Sequence, residues 1–319
     1  MTSLWPAISA AWNGKTYSPA GVYIAVDGTV YPGAPAPPTP LLNDGTGFWS
    51  GFASGIAGGL INTQDGLWEC VEIGYPASTS PMWPSAMIAR ANVTTVLNGG
   101  TDSNGVVWPG YPVGTKVIVG GYSQGAMAVD WWWINDVIAP GGALHDRFQN
   151  GDFLRIYNFG DVLRCPGIAN GNTMLWGKPV PPDHDGQMTG GIGGPLDLTE
   201  AQTNIPSPYD GKPIIMSFNN PGDIYGAAPC GADPWHSMPS VESVEYIFFS
   251  IVMYERIEDY LRLAELLIKP IGDIEAAINA GVFFAEGVNS PHYDYIPAML
   301  AAIDDALAIG NSLPHQPGY

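Results

Sequence analysis

A serine between two glycines is the part of this chain whose residue types are best suited to chemistry. Residues Gly121–Gly125 read Gly-Tyr-Ser-Gln-Gly and fit the pattern G-x-S-x-G. An apolar, β-rich run from Lys116 leads into them, and an apolar segment with helical character, residues 126–138, follows. This order of strand, tight turn and helix is the context in which G-x-S-x-G forms a nucleophile elbow. We therefore predict a nucleophilic Ser123; the alternative is a glycine-rich turn that buries an ordinary serine.

A nucleophilic serine also needs a base. Serine is a weak nucleophile at neutral pH unless a histidine takes its proton and a carboxylate orients that histidine. In α/β-hydrolases the order along the chain is serine, acid, histidine. The histidines that follow the serine are His145, His184, His236, His292 and His315. We predict His292 as the base, because it follows a long helical stretch and Pro291 stiffens its loop, whereas His236 leaves little room for a separate acid loop.

Two aspartates compete for the role of the acid. Asp223 follows the last predicted strand in a rigid Pro-Gly-Asp turn, at the carboxyl edge of the sheet where α/β sites form. Asp161 follows the preceding predicted strand in the same way. We predict Asp223, with Asp161 as the runner-up.

The oxyanion hole of such a site is built mainly from backbone N–H groups. The residue after the nucleophile, Gln124, supplies the first of them. The second donor should come from the end of the first predicted strand, so from Gly28 or Thr29, and the Thr29 hydroxyl could add a third bond.

The elements around these residues predict an α/β fold. The apolar β-rich runs lie at residues 21–26, 67–73, 116–121, 153–159 and 214–218, and the helical patterns lie at residues 86–97 with Ser85 as N-cap, 126–138, 241–269, 271–286 and 296–309. Strands separated by helices or long crossovers indicate a central, mostly parallel sheet with helices on both faces. The αα stretch after the last strand is too long for an ordinary loop. We therefore predict a catalytic domain from residues 1–234 and 287–319, with a helical linker or lid subdomain, 235–286, inserted into it.

The chain resembles a known family in several short stretches. It is similar to the lysin B enzymes of mycobacteriophages, the mycolylarabinogalactan esterases, which share their fold with cutinases. The most telling stretch is Ile73–Ala77 followed by Pro81–Ser85, since its tryptophan-proline signature is not general to hydrolases. The other matching stretches are Asp27-Gly28-Thr29, although the family commonly has histidine in place of this aspartate, the Gly-Tyr-Ser-Gln-Gly elbow, Gly222–Tyr225, and Pro291-His292 with Tyr295.

This resemblance implies an α/β-hydrolase that cleaves the ester between mycolic acids and arabinogalactan in a mycobacterial-type envelope. Ser123, Asp223 and His292 would form its triad, and no metal or organic cofactor would be needed. We also expect the apolar face of residues 241–286 to help hold the long acyl chains, against ordinary packing of a lid on the core. One rival interpretation is a general cutinase or lipase, although cutinases usually carry a signal peptide and paired cysteines. Another is a non-catalytic cell-wall-binding protein on a hydrolase scaffold.

Composition restricts the partners of the chain. The formal net charge is -19 with only 11 Lys and Arg, which argues against a nucleic-acid partner, because phosphates require clustered cations. No uncharged apolar run approaches the length of a membrane span, and residues 1–20 lack the features of a Sec signal. We expect a monomer, made in the host cytoplasm without a Sec signal, that acts at the host envelope after release.

Three smaller features leave two interpretations each. Cys165 and Cys230 could form one disulfide, although buried thiols at all three cysteines are favoured. Residues 183–185, Asp-His-Asp, could suggest a metal, but three adjacent side chains do not easily face one ion, so a solvated loop is favoured. The three tryptophans at 131–133 favour core packing over a sugar-stacking surface.

Overall fold

A five-stranded parallel sheet forms the centre of the molecule. The computed structural model describes residues 20–29, 51–64, 66–177, 188–230, 244–255, 258, 261 and 290–313. The strands are β1 (Gly21–Val26), β2 (Trp68–Glu72), β3 (Lys116–Tyr122), β4 (Phe153–Phe159) and β5 (Ile215–Phe218). Their order across the sheet is β2-β1-β3-β4-β5, and every neighbouring pair is parallel. The predicted parallel sheet is thus confirmed.

Helices connect the strands of the sheet, and two more follow the last strand in the part of the chain that the structure describes. They are α1 (Phe52–Gln64), α2 (Met82–Asn98), α3 (Gln124–Trp132), α4 (His145–Gln149), α5 (Asn170–Trp176), α6 (Glu200–Thr203), α7 (Val244–Tyr254) and α8 (Ile296–Ser312). Two antiparallel pairs of two-residue strands lie outside the sheet, Gly100–Thr101 with Val107–Trp108 and Thr189–Gly190 with Ala228–Pro229. Within the described residues, no helix is both long enough and apolar enough to cross a membrane.

Both faces of the sheet are covered. Successive side chains of a strand point to opposite faces. In β1, Val22 and Ile24 therefore pack into one apolar cluster with residues of α2 and α3, while Tyr23 and Ala25 pack into a second cluster with residues of α1 and α8. Helices on both faces, as predicted, bury the sheet and leave its carboxyl edge for the site.

The helix after the elbow is part of the core. Trp132 and Trp133 are fully buried. Trp131 packs edge-on against Trp83 of α2, with ring centroids 4.9 Å apart. The helix continues beyond α3 as a π-helical segment, Trp133–Ile138. The structure therefore supports core packing of these tryptophans.

Helix α2 begins earlier than predicted. It starts at Met82 with Pro81 at the N-cap, so the prediction of Ser85 as N-cap is wrong. Proline at residue 84 is tolerated because the first-turn N–H groups have no helical partner. The Ser85 hydroxyl instead accepts a hydrogen bond from Ser78 N–H at 3.1 Å, which ties the preceding loop to the helix.

Helix α1 was not predicted at all. Its sequence is rich in glycine, which lowers helix propensity, so its apolar pattern is weak. Packing against α8 explains these glycines. A Cβ at Gly55 would lie 2.3 Å from Met299 Sδ, and one at Gly59 would lie 2.3 Å from Ile303 Cδ1. Packing against α8 thus stabilises α1 in spite of its low helix propensity.

The helical stretch after β5 is interrupted earlier than predicted. Helix α7 ends at Tyr254, because Glu255 adopts a left-handed φ of 52°, and the pattern does not continue unbroken to residue 269. Phe249 and Met253 of α7 lie in the core cluster that contains α2 and α3, and Tyr254 contacts Trp83. The predicted helix at 271–286 lies outside the described residues, and the domain boundaries stay a prediction.

Candidate active site

Ser123 lies at the sharp turn between β3 and α3. Its backbone has φ 54° and ψ -121°, a combination that is uncommon for a residue with a side chain. The glycines on either side allow a close approach of the backbone. A Cβ at Gly121 would lie 2.7 Å from Ala126 Cα, and one at Gly125 would lie 2.0 Å from Val26 O. The local geometry is therefore that of a nucleophile elbow.

A chain of hydrogen bonds joins the three residues predicted as nucleophile, base and acid. His292 Nε2 lies 2.9 Å from Ser123 Oγ, and His292 Nδ1 lies 2.9 Å from Asp223 Oδ2. The serine is 9% exposed, the histidine 3% and the aspartate 0%. Asp223 follows β5, and His292 lies in a 3₁₀ turn, Pro291–Tyr293, just before α8. The arrangement allows the histidine to take the serine proton while the carboxylate orients the ring.

Two tyrosine rings contact the imidazole of His292. The Tyr122 ring stacks on His292 with centroids 5.2 Å apart, and the Tyr225 ring lies 4.8 Å away on a tilted plane. Tyr122 Oη also donates to His292 O at 3.0 Å. The elbow residue before the nucleophile thus fixes both the ring and the backbone of the predicted base.

The acid is held as a carboxylate. Burial alone raises the pKa of Asp223, but the charge of His292 and the hydrogen bonds from His292 and Tyr295 outweigh it, so that the pKa lies below its usual value. Tyr225 N–H donates to the other carboxylate oxygen, Oδ1, at 3.0 Å. A charged acid is the form that stabilises an imidazolium beside it.

The predicted oxyanion residues lie beside the nucleophile. A Cβ at Gly28 would be 2.9 Å from Ser123 Cβ, so this turn approaches the serine as only glycine can. Thr29 Oγ1 lies 3.5 Å from Gln124 Oε1. The Gln124 side chain donates to Ser78 O and Met82 O, both at 3.1 Å. The glutamine of the elbow therefore links the turn after β1 to the start of α2.

The side chain of Asp27 binds the same turn to the start of α1. Asp27 Oδ1 accepts from Ala53 N–H at 3.0 Å and so caps the N-terminus of α1. The Ser54 hydroxyl lies within bonding distance of both Asp27 and Glu72, and Tyr75 Oη donates to Asp27 O at 2.5 Å. The resemblance did not explain this aspartate; the structure gives it the function of joining the turn to α1.

The environment of Asp27 makes stability depend on pH. Burial first, and then the charge of Glu72, raise its pKa to about 7 despite hydrogen bonds from Ser54 and Ala53. The folded protein therefore holds a proton that the unfolded chain releases near pH 4, and the free energy of unfolding falls as pH rises between about 4 and 7. The total effect is roughly 4 kcal/mol.

We expect Asp27→Asn to flatten this dependence, because the amide reproduces the protonated carboxyl. The variant should match the wild type near pH 5 and exceed it in stability near pH 8, as measured by urea unfolding at both pH values. Asp102, which is similarly buried and accepts from Asn104 N–H and Trp108 Nε1, provides the matched control. Asp102→Asn should lower stability at both pH values alike. Parallel losses in the wild type and Asp27→Asn between pH 5 and 8 would contradict the expectation.

The runner-up residues have other partners or lie outside the described part of the chain. The Asp161 carboxylate accepts from the Ser217 hydroxyl and, at 3.2 Å, from Leu163 N–H. His145 lies on α4 with Nδ1 3.1 Å from Val137 O. His184 with its neighbouring aspartates, His236 and His315 lie outside the described residues.

All three cysteines lie in the described part of the chain. Cys165 and Cys230 are buried free thiols, and burial raises the pKa of each to about 12. Cys70 is buried as well, so the favoured interpretation of three buried thiols is correct. Among the described residues, no group of three His, Cys, Asp or Glu side chains is arranged to hold a metal ion.

Two features of the site were not predicted. Asn220 Nδ2 donates to Pro291 O at 2.8 Å and to Asp294 O at 2.7 Å, and so joins the acid loop to the base loop. Tyr295 Oη donates to Asp223 Oδ2 at 2.5 Å. The only sequence signal for either was the presence of Tyr295 in the matching base-loop stretch, and that match assigned it no role.

Solved structures of known proteins are similar to this chain. Lysin B from Mycobacteriophage D29 is 21% identical with a TM-score of 0.56, over 91% of this chain and 99% of that one. The chain has the α/β-hydrolase fold. A cutinase-like protein from Cryptococcus sp. is 15% identical with a TM-score of 0.39, over 73% of this chain and 94% of that one. An acetylxylan esterase is 15% identical with a TM-score of 0.38, over 70% of this chain and 92% of that one. No protein-family model and no curated protein matches the sequence.

The hydrolase fold confirms the fold class predicted from the elbow and the strand pattern. The similarity to lysin B that the short motifs indicated is present at the level of the whole fold. The hydrolase fold also accounts for the location of the site, since the ends of β3 and β5 bring Ser123 and Asp223 to the same edge of a parallel sheet.

Proposed function

We propose that this chain is a serine esterase that hydrolyses the ester between mycolic acids and arabinogalactan in a mycobacterial-type envelope. The hydrogen-bonded series Ser123, His292 and Asp223 in an α/β-hydrolase fold is the observation that carries the proposal. The overall similarity to a mycobacteriophage lysin B supports the choice of substrate. The enzyme would be made in the host cytoplasm and act at the host cell envelope after its release.

The reaction begins with attack of Ser123 Oγ on the ester carbonyl. His292 Nε2 takes the hydroxyl proton as the carbon–oxygen bond forms, and Asp223 stabilises the imidazolium. Backbone N–H groups of Gln124 and of the turn at Gly28 stabilise the negative oxygen of the tetrahedral intermediate. His292 then protonates the arabinosyl oxygen, and the intermediate collapses. The arabinosyl group leaves as an alcohol, and the mycolate remains bound to Ser123 as an acyl-enzyme.

Water completes the cycle. His292 removes a proton from a water molecule, which attacks the acyl-enzyme carbonyl. As the second tetrahedral intermediate collapses to free mycolate, His292 returns that proton to Ser123 Oγ. The same histidine therefore acts as base and acid in each half of the reaction, and the residues named here suffice for every proton transfer.

The decisive experiment is the release of mycolic acids from purified mycolylarabinogalactan. We expect the wild-type protein to release free mycolic acids, detected by mass spectrometry, and a sample inactivated with a serine-directed fluorophosphonate to release none. A long-chain triglyceride assayed in parallel distinguishes a general lipase. Turnover of the triglyceride and of p-nitrophenyl esters without release of mycolic acid would reject the proposed substrate in favour of a cutinase- or lipase-type esterase.

The acyl-binding role expected of residues 241–286 remains part of this proposal. Within the described part of that stretch, α7 packs Phe249 and Met253 into the core, as an ordinary covering helix does. An acyl-binding surface, if formed by this stretch, would therefore use other residues than these two.

A further inference from the structure

The hydroxyl of Tyr295 contacts the acid on the oxygen that the predicted base also uses. Asp223 Oδ2 accepts from Tyr295 Oη at 2.5 Å and lies 2.9 Å from His292 Nδ1. The Tyr295 hydroxyl in turn accepts from Asn220 N–H at 3.1 Å. A backbone N–H can only donate, so the tyrosine proton is directed to the carboxylate.

The ring of Tyr295 has little freedom to move. It is fully buried, and it makes edge-on contacts with the rings of Phe52 at 5.6 Å, Phe159 at 6.0 Å and Tyr122 at 6.5 Å. Its backbone is the N-cap of α8. Burial and the charge of Asp223 raise the pKa of the phenol well above its ordinary value, so the hydroxyl keeps the proton that it donates.

We propose that Tyr295 is a positioning residue, which holds the Asp223 carboxylate in the orientation that His292 requires. The inference rests on the proposed ester hydrolysis. The acid and the base come from loops on either side of residues 231–289, so no local chain geometry aligns them. The hydrogen bonds of Asn220 to the base loop and of Tyr295 to Asp223 supply that alignment where the acid meets the base.

Tyr295→Phe tests this role, because it removes the hydroxyl and keeps the ring. We expect kcat for p-nitrophenyl butyrate to fall about 10-fold, the size associated with a hydrogen bond to a charged group, with KM changed less than about two-fold. Without this donor the carboxylate charge is less dispersed and holds the imidazolium proton more strongly. The acidic limb of kcat/KM should therefore move to higher pH by about half a unit.

Tyr157→Phe is the matched control. Tyr157 is equally buried, and its hydroxyl donates to Asp305 Oδ2 at 2.8 Å, away from the predicted triad. We expect this variant to lose stability while its kcat and acidic limb stay at wild-type values. A Tyr295→Phe variant that behaves like Tyr157→Phe overturns the proposal.

A double-mutant cycle separates positioning from a general effect on the fold. In the Asp223→Asn background, Tyr295→Phe should change the residual kcat less than about two-fold, because the two residues act as one unit. The same 10-fold loss in both backgrounds would show that Tyr295 acts through something other than Asp223, and would overturn the inference.

A spectroscopic measurement makes the inference independent of the substrate. The downfield proton resonance of the His292 Nδ1–H bond to Asp223 can be observed without turnover. We expect it to shift in Tyr295→Phe and to stay in place in Tyr157→Phe; an unchanged resonance in both rejects the positioning role. If the wild-type protein hydrolyses no ester, the proposed function fails, while this resonance still decides the role of Tyr295.

Discussion

Ser123→Ala is expected to reduce kcat for ester hydrolysis by about six orders of magnitude, as loss of a triad nucleophile does in serine hydrolases. The variant lacks the oxygen that forms the acyl-enzyme, while His292 and Asp223 keep their places. The measurement is turnover of p-nitrophenyl butyrate by purified protein, with folding checked by circular dichroism.

Ser207→Ala is the matched control for this loss. Ser207 is also buried, and its hydroxyl donates to Leu154 O at 2.9 Å, on a different part of the fold. We expect its kcat to remain near that of the wild type. If the wild type and Ser123→Ala are both inactive on every ester, the non-catalytic cell-wall-binding alternative is favoured instead.

Asp223→Asn is expected to lower kcat by about four orders of magnitude. The amide can donate to the ring nitrogen that must itself carry a proton, which favours the wrong tautomer of His292, and it cannot stabilise the imidazolium. The expected loss lies in kcat rather than in KM, since Asp223 is fully buried and does not face the substrate. Steady-state kinetics at pH 7 to 8 measure both.

Asp161→Asn separates the two candidate acids. The carboxylate of Asp161 is bound by Ser217 and Leu163, so its replacement should lower the free energy of unfolding and leave kcat per folded molecule within about 10-fold. The reverse pattern, a large loss of kcat in Asp161→Asn and a small one in Asp223→Asn, would assign the acid to Asp161.

Much of the fold could be predicted because its signals are local. Strands β1 and β4 agree with their predicted bounds, since short β-branched and aromatic runs are typical of buried parallel strands. The start of α8 at Ile296 was also predicted. The misses lie where the local signal is weak or contrary: α1 carries glycines, the start of α2 lies among prolines at 81 and 84, and α4, α5 and α6 are only four to seven residues long. Packing and capping overcome these local preferences.

The amino-acid sequence was enough to select the candidate nucleophile, base and acid. Ser123 is marked by a motif that needs only its neighbours in the chain, and Asp223 and His292 were found from the order of elements that this motif implies. Asp223 could be placed near Ser123 because the ends of parallel strands meet at one edge of a sheet. His292 was chosen because histidine comes last in the chain order of α/β-hydrolases. Chain order was therefore sufficient to select them, although it carries no information on how they are held.

How the site is held together becomes visible only in the folded chain. Asp27 caps a helix that begins 25 residues later, Gln124 binds the start of α2, and Tyr295 donates to an aspartate 72 residues away. Such bonds have no sequence period, because they depend on which buried polar groups the packed elements bring within about 3 Å of each other. A buried donor or acceptor must find a partner wherever the fold provides one. The hydrogen bonds that hold the predicted triad therefore follow from the packing of the fold and not from any local sequence pattern.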